Sequence, residues 1–178
     1  MNNALVPEFA VSDWHKSKSF YCDVLGFDCV YERAEEGFCY LRLGEAEVMI
    51  DQIGQGRTFD AGHLPADYPF GKGVNVQIRV PSIAPLVEAL ASIKHPLFLP
   101  VEDKWYRVDC AEVGNRQFVV ADPDGYLLRF FQDLGSRPLQ RCPDPVQQII
   151  ATEAFENVPL RRILGGYEAV LAGKALNA

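Results

Sequence analysis

Apolar and polar residues alternate along several short segments of the chain, and two segments with helical spacing interrupt this alternation. In the first half, the alternation predicts four strands, at residues 5–11, 27–33, 38–43 and 46–53. Between the first two strands, Ser12 or Asp13 caps a helix that has one apolar face and ends at Gly26. The predicted order of elements in this half is therefore β-α-β-β-β.

The second half of the chain repeats this order. A strand at residues 74–80 precedes a helix that Ser82 caps, and further strands are predicted at 97–99, 105–108, 118–121 and 126–132. A single shift of 69 residues places Val11 on Val80 and aligns strand, cap and helix. Each half is a sheet with a helix on one face, so the other face needs a partner. Two such modules facing each other form a cup-shaped sheet with the helices outside, which is an α+β fold.

The predicted modules span about residues 4–53 and 73–133 and together make one domain over residues 1–135. Residues 54–72 are predicted as a long connection, because their glycines and prolines exclude a continuous helix or strand. Residues 136–178 begin with a proline-rich linker and continue with two predicted helices. We therefore expect a helical C-terminal extension that packs on the body of the protein or on another subunit.

A tight turn, Asp122-Pro123-Asp124-Gly125, precedes the last strand. Its first aspartate is suited to bond the backbone ahead of it and its glycine to adopt the left-handed conformation, so both carboxyl groups are predicted to be turn residues rather than catalytic groups. In the strand that follows, Arg129 lies between Leu127 and Phe131 on one face. A charge there is costly unless it is paired or hydrated, which indicates that this face lines a cavity.

The net charge is −7, which argues against a nucleic-acid partner and is compatible with a cationic ligand as well as with simple solubility. The five cysteines include no Cys-x-x-Cys pair, so they indicate neither a disulfide framework nor a thiolate zinc site. The N-terminus lacks a basic and apolar leader, and no apolar run approaches the roughly 20 residues that span a bilayer. We expect a cytoplasmic protein without a membrane partner.

Three motifs resemble the vicinal oxygen chelate superfamily, which includes glyoxalase I, extradiol dioxygenases, fosfomycin-resistance thiol transferases and bleomycin-resistance proteins. They are Val11-Ser12-Asp13, the segment from Ser19 to Phe27 at the end of the first helix, and Asp122-Pro123-Asp124-Gly125-Tyr126. The resemblance implies paired β-α-β-β-β modules, commonly in homodimers that exchange modules. The last strand, with Arg129 in place of a metal-binding Glu, resembles the bleomycin-resistance branch.

In the metal-dependent relatives, four inward positions carry His, Glu or Gln. The resemblance places these positions on Val6, on Met49 or its neighbour, on Asn75 and on Arg129, which offer one amide and one fixed positive charge and do not suit a divalent cation. The three histidines, His15, His63 and His95, fall outside the inward strand positions. We therefore predict no metal site, no catalytic residue and no cofactor.

The predicted ligand-binding residues are those on the inward faces of the strands, together with two aromatic residues beside charges; they are Glu8, Glu47, Met49, Asp51, Asn75, Gln77, Trp105, Tyr106, Arg129 and Phe131. We hypothesise that an ion pair between Glu8 and Arg129 fills the space of the missing metal. Two alternatives remain open, namely that Arg129 points to solvent and that Trp105 and Tyr106 only pack the core.

The sequence favours a metal-free protein of the bleomycin-resistance type that sequesters a small cationic or aromatic ligand, such as a bleomycin-like molecule, in a cleft between modules or subunits. One alternative is a metal-dependent lyase, isomerase or thiol transferase of the same superfamily, for which Glu8, Glu47 and Asp51 are candidate ligands. Another is an interaction protein whose C-terminal helices occupy the cleft.

Overall fold

A computed structural model describes residues 3–56 and 62–139. The first half contains β1 (Glu8–Val11), α1 (Trp14–Ser19) with a π-helical continuation (Phe20–Val24), β2 (Asp28–Arg33), a 3-10 turn (Ala34–Glu36), β3 (Phe38–Leu43) and β4 (Ala46–Gln52). The second half contains β5 (Asn75–Arg79), α2 (Ala84–Ser92), β6 (Leu97–Val108), β7 (Ala111–Ala121) and β8 (Leu127–Pro138). The predicted α+β class and the two successive β-α-β-β-β modules are confirmed.

The two modules form two four-stranded sheets with the same strand order, β1-β4-β3-β2 and β5-β8-β7-β6. In the first sheet β1 runs parallel to β4, with Glu8 opposite Met49; in the second, β5 runs parallel to β8, with Gln77 opposite Arg129. The shift of 69 residues takes Glu8 to Gln77. Met49 and Arg129 therefore occupy equivalent positions in the two modules.

The predicted cap of the first helix is present. The side chain of Asp13 accepts a hydrogen bond from the backbone N–H of Lys16 (3.1 Å), and Gly26, at φ +72°, follows the π-helical turn. The prediction that Ser82 caps the second helix is wrong, because the N-cap of α2 is Ile83, which makes no capping hydrogen bond with its side chain. The hydroxyl of Ser82 lies one residue earlier and accepts from the N–H of Ala84, the first residue of α2 (3.3 Å).

The strands of the second module are longer than predicted. The two short strands expected at 97–99 and 105–108 are one strand, β6, because Pro100 lies on the outermost strand of the sheet, where a missing donor is tolerated. β7 begins at Ala111 rather than at 118, and β8 continues three residues beyond the expected boundary at 135. The predicted C-terminal helices lie outside the described residues.

The helices of both modules pack against one side of each sheet, and their apolar side chains form a single buried hydrophobic cluster. Within it, the rings of Phe118 and Phe130 stack with centroids 5.5 Å apart. On the opposite sides, the residues that alternate with the core residues are half-buried or exposed, except Phe38 and Tyr40 of β3, which are buried. We call these sides the first open face (Glu8, Ala10, Phe38, Tyr40, Glu47, Met49 and Asp51) and the second open face (Asn75, Gln77, Arg79, Leu127, Arg129 and Phe131).

The turn before β8 has the predicted construction. One carboxylate oxygen of Asp122, Oδ1, accepts from the backbone N–H groups of Asp124 (3.0 Å) and Tyr126 (2.8 Å), and Gly125 adopts a φ of +88°. This local hydrogen bonding is what an Asp-x-x-Gly turn requires. The prediction that Asp122 and Asp124 are turn residues is therefore confirmed, because Asp122 accepts the backbone hydrogen bonds of the turn that contains both.

The same two aspartates also join the modules, which sequence reasoning missed. The hydroxyl of Tyr21 donates to Asp122 Oδ2 (2.9 Å), while the N–H of Ser12 and the hydroxyl of Ser17 donate to the carboxylate of Asp124 (3.2 and 3.3 Å). Both aspartates are buried, and burial raises the pKa of Asp122 to about 6. The turn is thus a buried polar junction between the first helix and the last strand.

The chain divides into two compact units. The first comprises Met1–Tyr106 and Val113–Arg137, and the site described below belongs to it. The second comprises Arg107–Glu112 and Pro138–Ala178, of which the structure describes the first segment and residues 138–139. In that unit Cys110 is disulfide-bonded, a single bond that the cysteine spacing did not indicate. Within residues 3–56 and 62–139, no helix has the length and hydropathy needed to span a membrane.

Candidate ligand-binding site

A cavity of about 560 Å³ opens at one end of the first open face. The connection between the modules forms its other wall. The described residues that line it are Glu8, Ala10, Asp51, Gln52, Ile53, His63, Leu64, Pro65, Phe70, Val74 and Tyr126. Its lining is mostly apolar with a few charged groups, which is the usual composition of a small-molecule site.

Two carboxyl groups supply the negative charge of this cavity. Asp51 lies opposite Ala10 and Glu8 opposite Met49, so the two acids are diagonal neighbours on adjacent parallel strands. One oxygen of Asp51, Oδ1, is buried and has no hydrogen-bond partner among the described residues. Burial raises the pKa of Asp51, and the nearby charge of Glu8 raises it further. A positively charged ligand group placed here would satisfy the unpaired oxygen and relieve the repulsion.

Tyr126 forms an aromatic surface of the cavity and is held rigidly. Its ring stacks on Phe9 with centroids 4.3 Å apart and planes within 11°, and its hydroxyl donates to the carbonyl of Ala10 (3.0 Å). Gly71 of the connection packs so closely on Tyr126 that a Cβ there would lie 2.8 Å from the tyrosine Cα. The N–H of Phe70 donates to the carbonyl of Asp124 (2.8 Å). The wall that the connection provides is therefore fixed to the turn before β8.

The rest of the first open face is aromatic and acidic. The hydroxyl of Tyr40 donates to Glu47 (2.9 Å), and the ring of Tyr40 stacks on that of Tyr31 with centroids 5.2 Å apart. Phe38 lies opposite Asp51 and carries the guanidinium of Arg33 over its ring at 3.8 Å. Sequence reasoning placed Glu47, Met49 and Asp51 together correctly but missed these aromatic residues. The antiparallel register of β2, β3 and β4 was the signal that could have found them.

On the second open face, Arg129 belongs to a hydrogen-bond network within its own sheet. Its Nη1 donates to the hydroxyl of Tyr106 (3.3 Å), and the side-chain amide of Gln117 donates to that hydroxyl (2.9 Å) and to Glu102 (2.7 Å). The ion pairs among the described residues do not include one between Glu8 and Arg129. The predicted ion pair is therefore wrong, because β6 and β7 already supply polar partners for the guanidinium. Arg129 is half-buried, so the alternative of a purely solvent-facing arginine is also wrong.

The predicted site residues thus fall into separate groups. Glu8 and Asp51 line the cavity, and Glu47 and Met49 lie beside them on the first open face. The second open face carries Asn75, Gln77, Arg129 and Phe131. Tyr106 on β6 joins this group because its hydroxyl accepts a hydrogen bond from Arg129. Trp105 points to the opposite side of β6 from Tyr106, because successive strand residues alternate. Its ring packs on Gly114 and lies 4.0 Å from the guanidinium carbon of Arg137.

A divalent metal does not fit the four positions that the superfamily resemblance indicates. Val6 has no donor atom, Met49 offers a thioether, Asn75 an amide and Arg129 a cation. Hard divalent ions require carboxylate oxygens or imidazole nitrogens, and the guanidinium of Arg129 is bonded to Tyr106 and repels a cation. No catalytic step through a metal at these positions follows from this donor set.

The strand order repeated in both modules defines a paired β-α-β-β-β protein, which has a cavity on one open sheet face. The chain belongs to the Glyoxalase/Bleomycin resistance protein/Dioxygenase superfamily, whose family model matches residues 5–96. Its curated relatives include bleomycin resistance proteins of Geobacillus stearothermophilus and Staphylococcus aureus. Each is 31% identical over 138 residues, which cover 74% of this chain and 97% of the relative. The superfamily, predicted from three motifs, and its bleomycin-resistance branch, predicted from the last strand, are confirmed.

A solved structure shows the same fold at lower identity. TioX from Micromonospora sp. ML1 superimposes with a TM-score of 0.55 and 20% identity over 74% of this chain and 100% of the TioX chain. At that identity the likeness concerns the fold alone.

Proposed function

We propose that this protein binds a small cationic, partly aromatic molecule and sequesters it without transforming it, as a bleomycin-resistance protein does. The observation that carries the proposal is the unpaired, buried Oδ1 of Asp51 in a cavity of about 560 Å³. A buried carboxylate oxygen without a partner is costly in the free protein, so a ligand that donates a charged hydrogen bond to it gains affinity.

The surroundings of Asp51 support a cation with an attached planar group. Glu8 adds a second negative charge, and Tyr126 presents a rigid ring on which an aromatic group stacks. The net charge of −7 attracts cations over a longer range and opposes nucleic-acid binding. The relatives are bleomycin resistance proteins, which agrees with such a ligand.

One observation favours the alternative of a metal-dependent enzyme of the same superfamily. Glu8, Asp51 and His63, whose side chains offer oxygen and nitrogen donors, line the same cavity. That alternative predicts that exhaustive chelation abolishes ligand binding or turnover. The sequestration proposal predicts that ligand affinity survives chelation unchanged, which a titration before and after treatment with a chelator measures.

We expect ligand binding to depend on Asp51. Calorimetric titration with bleomycin at pH 7.5 is expected to show binding to the wild type and a loss of about 10-fold or more for Asp51→Asn, since a charged hydrogen bond is worth roughly 1.5–3 kcal/mol. Because the pKa of Asp51 is raised, wild-type affinity falls as the pH drops through the acid range and the carboxylate becomes protonated, whereas Asp51→Asn lacks this dependence.

Glu88→Gln is the matched control, since Glu88 is an exposed acid on α2 and its loss changes the net charge equally. It should bind like the wild type. Failure of the wild type to bind bleomycin, or an equal loss of affinity in both variants, would contradict the proposal.

We also propose that the protein is a homodimer in which each open face meets a face of the second copy. Glu8, Asn75 and Gln77 are exposed in the single chain, and half-buried apolar side chains lie near them, Met49 on the first open face and Leu127 and Phe131 on the second. Since a sheet with one helix-covered side needs a partner on the other, a second copy is expected there. Sedimentation equilibrium should give twice the monomer mass of 19.9 kDa, and a monomer at micromolar concentration would contradict the dimer.

A further inference from the structure

Two cysteines and a glutamate converge away from the ligand cavity, at the edge of the first sheet. β2 pairs with β3 so that Glu32 lies opposite Cys39, and an irregularity between Cys29 and Tyr31 shifts the register. The two sulfur atoms of Cys29 and Cys39 are 3.2 Å apart, and the thiol of Cys29 lies 3.7 Å from a carboxylate oxygen of Glu32. Among the described His, Cys, Asp and Glu side chains, this is the group whose ligand atoms all lie within 4.8 Å of one another.

We propose that Cys29, Cys39 and Glu32 bind a thiophilic divalent cation, of which Zn²⁺ is the representative. Two thiolates, one carboxylate and a water molecule make a tetrahedral set, and all three protein ligand types occur in zinc sites. With Zn–S bonds of about 2.3 Å, a tetrahedral site separates its sulfur atoms by roughly 3.8 Å. The thiols therefore need to part by only about 0.6 Å, which is within side-chain adjustment.

The charges around this site balance. Lys18 forms an ion pair with Glu32, which holds the carboxylate beside Cys29. Two thiolates and one carboxylate carry three negative charges, which Zn²⁺ and the ammonium group of Lys18 neutralise together. Cys39 is fully buried, and a neutral cluster there avoids the large cost of an unpaired buried charge. Glu32 and Lys18 are partly exposed and give the ion a route from solvent.

Binding couples to proton release. Cysteine binds a metal ion as the thiolate, so each thiol that takes up the ion gives up its proton. The reaction is Zn²⁺ + 2 RSH → Zn(SR)₂ + 2 H⁺, with no change in oxidation state. Affinity is therefore expected to rise steeply with pH, as for other thiolate sites.

The test uses Co²⁺ as a spectroscopic probe on the full chain, reduced and free of metal. Wild-type protein is expected to develop the near-ultraviolet charge-transfer band of a Co²⁺–thiolate complex and to lose it on addition of Zn²⁺. Loss of even an outer-shell partner costs roughly 10–100-fold in metal affinity, so we expect Cys29→Ser to lose at least about 100-fold and Glu32→Gln roughly 10-fold or more.

Cys22→Ser is the matched control, because Cys22 is also a free, half-buried thiol of the same module but lies outside the converging group. It should keep the band. Cys29→Ser is preferred to a change at the fully buried Cys39, and its thermal unfolding temperature without metal should match the wild type. Absence of the band in reduced wild type, its persistence in Cys29→Ser, or formation of a Cys29–Cys39 disulfide as the sole reaction would overturn the proposal.

Discussion

Replacing Asp122 by alanine is expected to lower the free energy of unfolding by about 3–5 kcal/mol, because three buried donors lose their acceptor at a cost of roughly 1–3 kcal/mol each. These donors are the hydroxyl of Tyr21 and the N–H groups of Asp124 and Tyr126. Urea denaturation at pH 7 measures the change. A loss below about 1 kcal/mol would contradict the view that this junction joins the modules.

Asp122→Asn is the control, since its amide keeps the Oδ1 acceptor and donates to the hydroxyl of Tyr21. It should also remove a pH dependence. The pKa of Asp122 is about 6 in the folded protein, against about 3.9 in the unfolded chain, so the folded state holds the proton longer. The free energy of unfolding therefore falls by up to about 3 kcal/mol as the pH rises from about 4 to 6.

The difference between wild type and Asp122→Asn isolates this effect from the other carboxyl groups. Asp103 and Glu32, whose pKa values are lowered by Arg116 and Lys18, contribute equally to both proteins and cancel. Stability curves that stay parallel between pH 4 and 6 would contradict the raised pKa of Asp122.

Gly125→Ala is expected to cost about 2–4 kcal/mol of stability and to weaken ligand binding. The residue has a φ of +88°, which costs an L-residue roughly 1–2 kcal/mol, and its new Cβ would lie 2.5 Å from the Cβ of Pro69 and 2.8 Å from the Cα. Relief of such crowding costs roughly 1–3 kcal/mol more. Since Pro69 precedes Phe70 in the cavity wall, the wall must move, and bleomycin affinity should fall in the fraction that remains folded.

Gly135→Ala separates backbone strain from crowding. Gly135 has a φ of +83°, but a Cβ there meets no atom within 4 Å. It is expected to cost only about 1–2 kcal/mol and to leave ligand affinity unchanged. If both alanine variants lose the same stability and neither changes the affinity, the contact between the turn and the connection does not shape the site.

Much of the fold was predictable because it rests on local chemistry. Asp13 caps the first helix, the Asp122-to-Gly125 turn precedes the last strand, and the alternation of residues on β4 and β8 sets the faces of Asp51 and Arg129. These signals lie within a few residues of one another in the sequence. The repeat then required only that both halves use the same order of elements.

The features that sequence reasoning missed depend on contacts between distant segments. Arg129 donates a hydrogen bond to Tyr106 on the edge strand β6. The sequence predicted two short strands in place of β6, because Pro100 interrupts the strand pattern. The wall of the cavity comes from a connection without periodicity, so the position of His63 could not be inferred. Cys29 and Cys39 converge because of a register shift in β2, which leaves no recognisable spacing.

A crystal structure of the wild-type protein with bleomycin tests the proposed binding site. We expect the antibiotic in the cavity on the first open face, with a cationic group within hydrogen-bonding distance of Asp51 Oδ1 and an aromatic group against Tyr126. Bleomycin held on the second open face without contact to Asp51, or a metal ion coordinated by Glu8, Asp51 and His63, would contradict it.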